Sequence, residues 1–320
     1  MTTFIIRRLL LAIPVLIAIT LAGYVTLSLA PGDPILARMD PETLARMTPE
    51  QIDTQRRAFG LDQPVVIPYA RWLADLVRGD LGYSIVTRQP VVDELAARLG
   101  PTALLMGVAL AIGLVLGIPF GLISAVRQYS AIDYVLTAVS MLLISSPVFV
   151  TGLVAIYLFA VSWQVLPVGG METLGAPFDV LDRAAHVVMP ATILGVAIAA
   201  PLMRYTRASM LEVLGSEYMT TARSKGLISR VVLIRHALRN ALIPIITLIG
   251  LLLPELVAGA VITEQLFAWP GMGSLAVQAA SNRDPALMMG VMMVVAVGVL
   301  LSSLLADVSY AVVDPRVRYD

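Results

Sequence analysis

Six apolar runs constrain this chain more than any other feature: Leu9–Ala30, Thr102–Val126, Tyr134–Trp163, Val187–Met203, Ala241–Ile262 and Ala286–Ala306. A bilayer core of roughly 30 Å needs about 20 predominantly apolar residues in one helix. In lipid every backbone N–H and C=O must be satisfied within the structure, which leaves helices or a closed barrel. A barrel would read as strands of about ten alternating residues, whereas these runs are continuous. The expectation is an all-α membrane protein with six transmembrane helices. The fourth run is the shortest. The third is long enough to tilt or kink, with Ser145, Ser146 and Pro147 near its middle.

Composition agrees. The 320 residues are 58% apolar and 14% charged, with a mean hydropathy of +0.86, against about 25% charged in soluble domains. Zero net charge leaves no basic footprint for nucleic acid. With no cysteine, disulfides, thiolate catalysis and cysteine metal sites are all excluded. His186 and His236 stand too far apart in sequence to form a ligand pair. Arg7 and Arg8 precede the first run as in a signal peptide, but its length marks a retained helix.

The arginines orient the chain. With both termini inside, Arg7, Arg8, Arg127, Arg204, Arg207, Arg223, Lys225, Arg230, Arg235, Arg239, Arg316 and Arg318 are cytoplasmic, twelve of the 22 basic residues. Most of the others fall in a long first outer loop, where charge has little influence on topology. The expected organisation is residues 1–30 as N-terminus and first helix, 31–100 as an extracytoplasmic helical segment, and 101–320 as a five-helix core. Thr48-Pro49-Glu50-Gln51 reads as a helix start with a capping box, and Pro68–Arg78 as a second helix closed by Gly79. These helices are expected to lie over the outer mouth of the spans. Gly113, Gly117 and Gly121 form two overlapping G-x-x-x-G steps, a pattern for close helix packing.

The polar segment 204–240 holds seven basic residues, including the only lysine, Lys225. Gly215 breaks the helix leaving the fourth run and Ser216 is placed to cap the next. Glu217 then suits the first turn and Lys225 the last, before Gly226 ends a helix of about nine residues, roughly 13 Å. One reading is a knob for a cytoplasmic partner; the other is a solvated connector whose arginines only set topology. After it, Val231, Ile234, Leu238 and Leu242 form the apolar stripe of an interfacial helix.

Glu217, Tyr218, Thr221, Ala222, Lys225, Gly226, then His236, Leu238, Arg239, Asn240 and Pro244, resemble the cytoplasmic loop of permease subunits of binding-protein-dependent ABC importers of the dipeptide/oligopeptide type. Thr220 and Thr221 stand where the general signature has Glu and Ala. Pro31-Gly32-Asp33-Pro34, Leu61-Asp62-Gln63-Pro64, Gly79-Asp80-Leu81-Gly82, Phe267, Pro270-Gly271-Met272-Gly273 and Asp314-Pro315-Arg316 extend the resemblance over nearly the whole chain.

The resemblance implies a type I ABC importer permease fold in a bacterial or archaeal cell membrane. It implies a second similar permease subunit, two ATPase subunits and an extracytoplasmic substrate-binding protein. Glu217, Tyr218, Thr221, Ala222, Lys225 and Gly226 would form the loop helix that sits in a groove of the ATPase, and import would proceed by alternating access. The substrate class is di- or oligopeptides, with nickel, glutathione or oligosaccharide as alternatives. Independently, Lys225 is followed by Gly226 and not by Ser or Thr, so the chain has no Walker A loop. No cofactor is expected in this chain, ATP being bound by partner subunits. Nor does it carry a catalytic elbow or triad pattern.

Glu255, beside Pro254 inside the fifth run, is a candidate for the pathway or for a buried structural pair, because ionisable groups at membrane depth are costly. Ser145 and Ser146 are possible lining residues, with helix packing as the simpler role. Asp307 is expected to be structural, with Arg204 within range if the fourth and sixth helices meet. A secondary transporter remains the rival function; it would use intramembrane ionisable groups and repeats with broken helices.

Overall fold

The structure is a computed structural model. It describes residues 2–29, 47–48, 50–52, 54, 63–217, 219, 233 and 237–313, with the side chains of 2–3, 239, 243–244, 247, 251–260 and 309–313 outside that description. The helices are α1 (Thr2–Leu29), α2 (Val66–Val77), α3 (Val91–Val126), α4 (Ala131–Ser145), α5 (Val148–Ala155, continued by a π-helical segment Ile156–Ser162), α6 (Val180–Leu214), α7 (Arg239–Leu266), α8 (Met272–Ser281) and α9 (Pro285–Val313). Among the described residues no strand forms beyond one isolated bridge between Tyr83 and Pro90. Among the described residues four helices (α1, α3, α6 and α9) are long and apolar enough to cross a membrane, and the bent pair α4–α5, taken as one span, raises the number to five. The expected fifth span lies within the 28-residue α7, part of whose side chains are outside the description. The chain divides into two compact units.

The first unit comprises Ile6–Arg98 and Leu275–Val297. Glycines let its helices approach: a Cβ on Gly23 would come within 2.2 Å of Met292 Cε, and one on Gly290 within 2.6 Å of Val91 Cγ1. Asp284 caps α9 by accepting from Leu287 N (3.1 Å), and Pro285 follows as the first helical residue, where a missing N–H costs nothing. The same buried carboxylate accepts from Ser84 Oγ at 2.6 Å, fastening the turn that precedes α3.

The capping box forms as the sequence predicts. Thr48 N donates to Gln51 Oε1 (2.9 Å) and Gln51 N to Thr48 Oγ1 (3.4 Å). Helix α2 ends at Val77, and Gly79 follows at φ +83°, a conformation costly for any residue with a Cβ. It starts at Val66, two residues before the expected Pro68, which is tolerated within the unbonded first turn. Its Tyr69 reaches Thr20 on α1, so this helix packs along the first span instead of lying wholly beyond its end.

The second unit comprises Met1–Ile5, Leu99–Ser274 and Gly298–Asp320. Its buried centre joins Leu105 and Ala109 of α3 to Val187, Ala191, Leu194 and Ile198 of α6, with Trp269. The glycine stripe lies on this contact. A Cβ at Gly113, Gly117 or Gly121 would fall 2.6 Å from Ile198, 2.9 Å from Leu202 or 2.5 Å from Thr206 respectively. Successive turns of α3 therefore seat on successive turns of α6 at near-backbone distance. Helix α3 begins at Val91, earlier than the expected Thr102, and runs through Pro101. Gly100-Pro101 reads as a boundary, but helices accommodate an interior proline by bending.

The third run departs most from expectation. Instead of one kinked helix, α4 and α5 meet at Ser146-Pro147 with a bend of 103°. The residue before a proline is held away from helical geometry, and Ser146 is extended at ψ 123°. Asp133 of α4 is held by Arg207 of α6, while Ala155 of α5 packs in a cluster with Met189 of α6. Those two anchor points are separated along α6 by about 27 Å at 1.5 Å per residue, so the bent pair extends over most of a span.

Candidate coupling site

At one end of the second unit α3 and α6 finish while α4 and α7 begin. Ser130 caps α4, its hydroxyl accepting from Asp133 N at 3.3 Å. Asp133 is buried, and Arg207 embraces its carboxylate with Nε and Nη2, each at 2.8 Å. Ser124 Oγ of α3 and the Tyr129 backbone N–H (3.0 Å) donate to the same carboxylate. Three helices thus share one carboxylate with its acceptor sites filled, the condition under which a buried charge is tolerated.

Beside this pair the polar segment is rooted in the core. Met219, Ala237 and Ala241 are buried with Ala125 of α3 and Met210 of α6, and Leu233 packs against that cluster. Ser209 Oγ donates to the Ala241 carbonyl at 3.0 Å, tying α6 to α7. Helix α6 ends at Leu214 with Gly215 as its cap, as the sequence predicts. Ser216 instead turns its hydroxyl back to the Val213 carbonyl (2.5 Å), serving the helix before it.

The opposite end carries a second buried carboxylate. Glu264, fully buried near the end of α7, accepts from Thr102 Oγ1 (2.8 Å) and Ser274 N (2.9 Å). Thr102 Oγ1 in turn accepts from Met272 N at 2.7 Å. Gly271 leaves room for this carboxylate, since a Cβ there would lie 2.1 Å from Glu264 Oε1 and force it to shift. Trp269, also fully buried, donates through Nε1 to the Pro101 carbonyl at 3.0 Å. The segment Phe267–Gly273 is therefore wrapped round the carboxylate it follows. The segment before α6 docks on it, with Gly170 N donating to the Phe267 carbonyl (2.8 Å). It is braced by Arg183 to Glu172 (2.6 Å) and by Thr173 Oγ1 to Asp182 (2.7 Å).

The expected site residues are distributed as follows. Glu217 is exposed just beyond α6, while Tyr218, Thr221, Ala222, Lys225 and Gly226 lie outside the described residues. Glu255 belongs to α7, with its side chain outside the description. Ser145 is exposed at the last position of α4. Ser146 donates to the Leu142 carbonyl (2.7 Å), so its hydroxyl serves the helix end at the bend. Arg204 is exposed, and its neighbour one turn on, Arg207, forms the ion pair. Asp133, Arg207 and Glu264 were not singled out from sequence. Among the described residues no cluster of metal-ligating side chains forms.

The family model "Binding-protein-dependent transport system inner membrane component" matches residues 117–319, and "Binding-prot-dependent transport system membrane comp, N-term" matches residues 1–106. The oligopeptide transport system permease protein AppB of Bacillus subtilis is 43% identical over 320 residues, covering 100% of both chains. The dipeptide transport system permease protein DppB of Escherichia coli K12 is 36% identical over 340 residues, covering 100% of this chain and 99% of the relative. The glutathione transport system permease protein GsiC of Escherichia coli O6:H1 is 35% identical over 319 residues, covering 100% of each. Among solved structures, the inward-facing MetNI methionine ABC transporter matches with a TM-score of 0.57 at 18% identity, covering 69% of this chain and 96% of that one. At that identity the likeness concerns the fold, an all-α ABC importer permease. The chain belongs to the family of binding-protein-dependent transport system inner membrane components.

Proposed function

We propose that this permease carries di- or oligopeptides across the cell membrane in an ATP-driven importer whose ATPases are separate chains. The peptide assignment rests on full-length similarity to permeases named for oligopeptides and dipeptides. The chain spans the membrane six times with both termini cytoplasmic, and pairs with a second similar permease to enclose the pathway. Segment 204–240 faces the cytoplasm. There Glu217, Tyr218, Thr221, Ala222, Lys225 and Gly226 form the short helix that engages an ATPase subunit, while a binding protein delivers substrate to the opposite face.

One observation carries the coupling mechanism. Met219 and Ala237, near the two ends of that segment, are both buried against Met210 of α6, Ala125 of α3 and Ala241 of α7. A packed core transmits displacement because its side chains have little room to give. Movement of the loop by the ATPases therefore moves the ends of three helices together, turning the pathway from outward- to inward-facing. Glu255 faces that pathway, with Ser145 and Ser146 at the bend as a further lining element.

Uptake of labelled di-, tri- and pentapeptides into proteoliposomes of the complete transporter tests this reading. ATP- and binding-protein-dependent accumulation is expected. Uptake that follows a proton or sodium gradient and ignores ATP overturns it. Similarity to a permease named for glutathione favours that compound as a second candidate, tested as a competitor in the same assay.

A further inference from the structure

Helix α2 has more apolar surface than the first unit covers. At about 100° per residue, Tyr69, Trp72, Leu73 and Leu76 form the side turned towards the protein, with Tyr69 buried. The next arc round the helix, formed by Val66, Val77, Ala70, Ala74 and Ile67, is exposed and wholly apolar. Val66 is 69% and Val77 83% exposed, so this arc has no protein cover within the chain's described residues. Only Arg71 and Asp75 interrupt the remaining circumference, and Arg78 beyond the helix end bonds Asp75 at 3.5 Å. A helix standing in water would carry its polar residues over that whole outer surface.

The depth of α2 is set by Tyr69. Its hydroxyl donates to the Ile17 carbonyl at 3.1 Å and lies 3.0 Å from Thr20 Oγ1, both on α1. Tyr24 meets the Tyr69 ring edge-on at 5.7 Å, and Trp72 stacks on it at 5.9 Å. Thr20 precedes Leu29, the end of α1, by about 13 Å of helix. Helix α1 itself is long and apolar enough over Phe4–Leu29 to cross a membrane. Its side chains at Leu9, Leu10, Leu11, Ile13 and Val15 are exposed. A helix bolted to that span well inside its end meets hydrocarbon, not water, on its free apolar side.

We infer that α2 is an interfacial membrane helix, with Val66, Ile67, Ala70, Ala74 and Val77 seated in the acyl chains of the leaflet at the Leu29 end of α1. Arg71 and Asp75 face the headgroups and water. The pattern of a broad apolar face, a narrow charged strip and flanking aromatics suits that position. Segment 66–77 then rests on the bilayer surface instead of standing over the spans.

The absence of cysteine allows single-cysteine spin labelling of the full-length chain in phosphatidylcholine–phosphatidylglycerol nanodiscs. Labels at Ala74→Cys and Val77→Cys report the apolar arc, Asp75→Cys the polar strip, Leu10→Cys the lipid reference and Arg88→Cys the water reference. All five positions are exposed, so the labels leave the packing intact. The expected result is that labels at 74 and 77 collide several-fold more with oxygen than with a water-soluble nickel chelate, as at 10, while 75 follows 88. Chelate access at 74 and 77 equal to that at 88 overturns the inference. Shielding from both reagents also overturns it, because a protein surface would then cover the arc.

Discussion

Arg207 and Asp133 meet through two parallel hydrogen bonds of 2.8 Å, from guanidinium Nε and Nη2 to the two carboxylate oxygens. They are separated by 74 residues and join α6 to the start of α4. The Asp133 side chain is 3% exposed and that of Arg207 26%, so the two ends of the pair are not equivalent. Removing the arginine strands a buried carboxylate, whereas removing the acid leaves a guanidinium that reaches water. Arg207→Ala is expected to cost about 3 kcal/mol, and Asp133→Asn distinctly less. Heat inactivation followed by size-exclusion chromatography in detergent checks the order, and equal losses would contradict it.

Gly271 and Glu264 are coupled sterically. Gly271→Ala places a methyl against the carboxylate and is expected to destabilise by about 1–3 kcal/mol, the usual range for overpacking. In a Glu264→Ala background, itself destabilised, the same methyl has room and the added cost should nearly vanish. A double-mutant cycle on thermal stability measures the difference; additive effects would show that the carboxylate does not fill the space.

The glycine stripe gives a position-specific expectation. Gly117→Leu and Gly121→Leu push α3 off α6 and should abolish stable folding or transport. Gly107, on the same helix, has nothing within 4 Å of an added Cβ, so Gly107→Ala should be neutral within about 0.5 kcal/mol. Expression and uptake of the three variants side by side decide the matter.

Met219, fully buried, roots the polar segment in the core. Met219→Ala shortens that root without touching the predicted ATPase-facing residues. The expected outcome is retained co-purification with the ATPases, with peptide uptake per ATP hydrolysed reduced several-fold. Unchanged uptake per ATP would remove Met219 from the coupling path.

What the sequence made legible followed from patterns with a fixed period or a fixed local chemistry. Apolar runs predicted long helices, glycines four apart predicted a close helix contact without naming its partner, and Thr48 with Gln51 predicted a reciprocal cap. Glu264 was missed because it stands two residues beyond an apolar run, where an acidic residue reads as the start of a loop. Its partner Thr102 is 162 residues away in sequence. Arg207 stands among the topology-setting arginines, and Asp133 lies just before the run Tyr134–Trp163. Neither announces the other across 74 positions. Pro147 marked a bend without its size, since the same residue allows either a mild kink or the 103° turn observed. These are tertiary facts that local sequence does not encode.

The most direct test of the coupling account is co-purification of the permease with the proposed ATPase subunits, comparing wild type with Ala222→Asp and Gly226→Arg. Both changes place charge and bulk on the proposed contact without touching the spans. The account predicts that wild type retains the ATPases while the folded variants lose them or their substrate-stimulated hydrolysis. Variants that retain both at wild-type levels would contradict it, and segment 204–240 would then be only a connector.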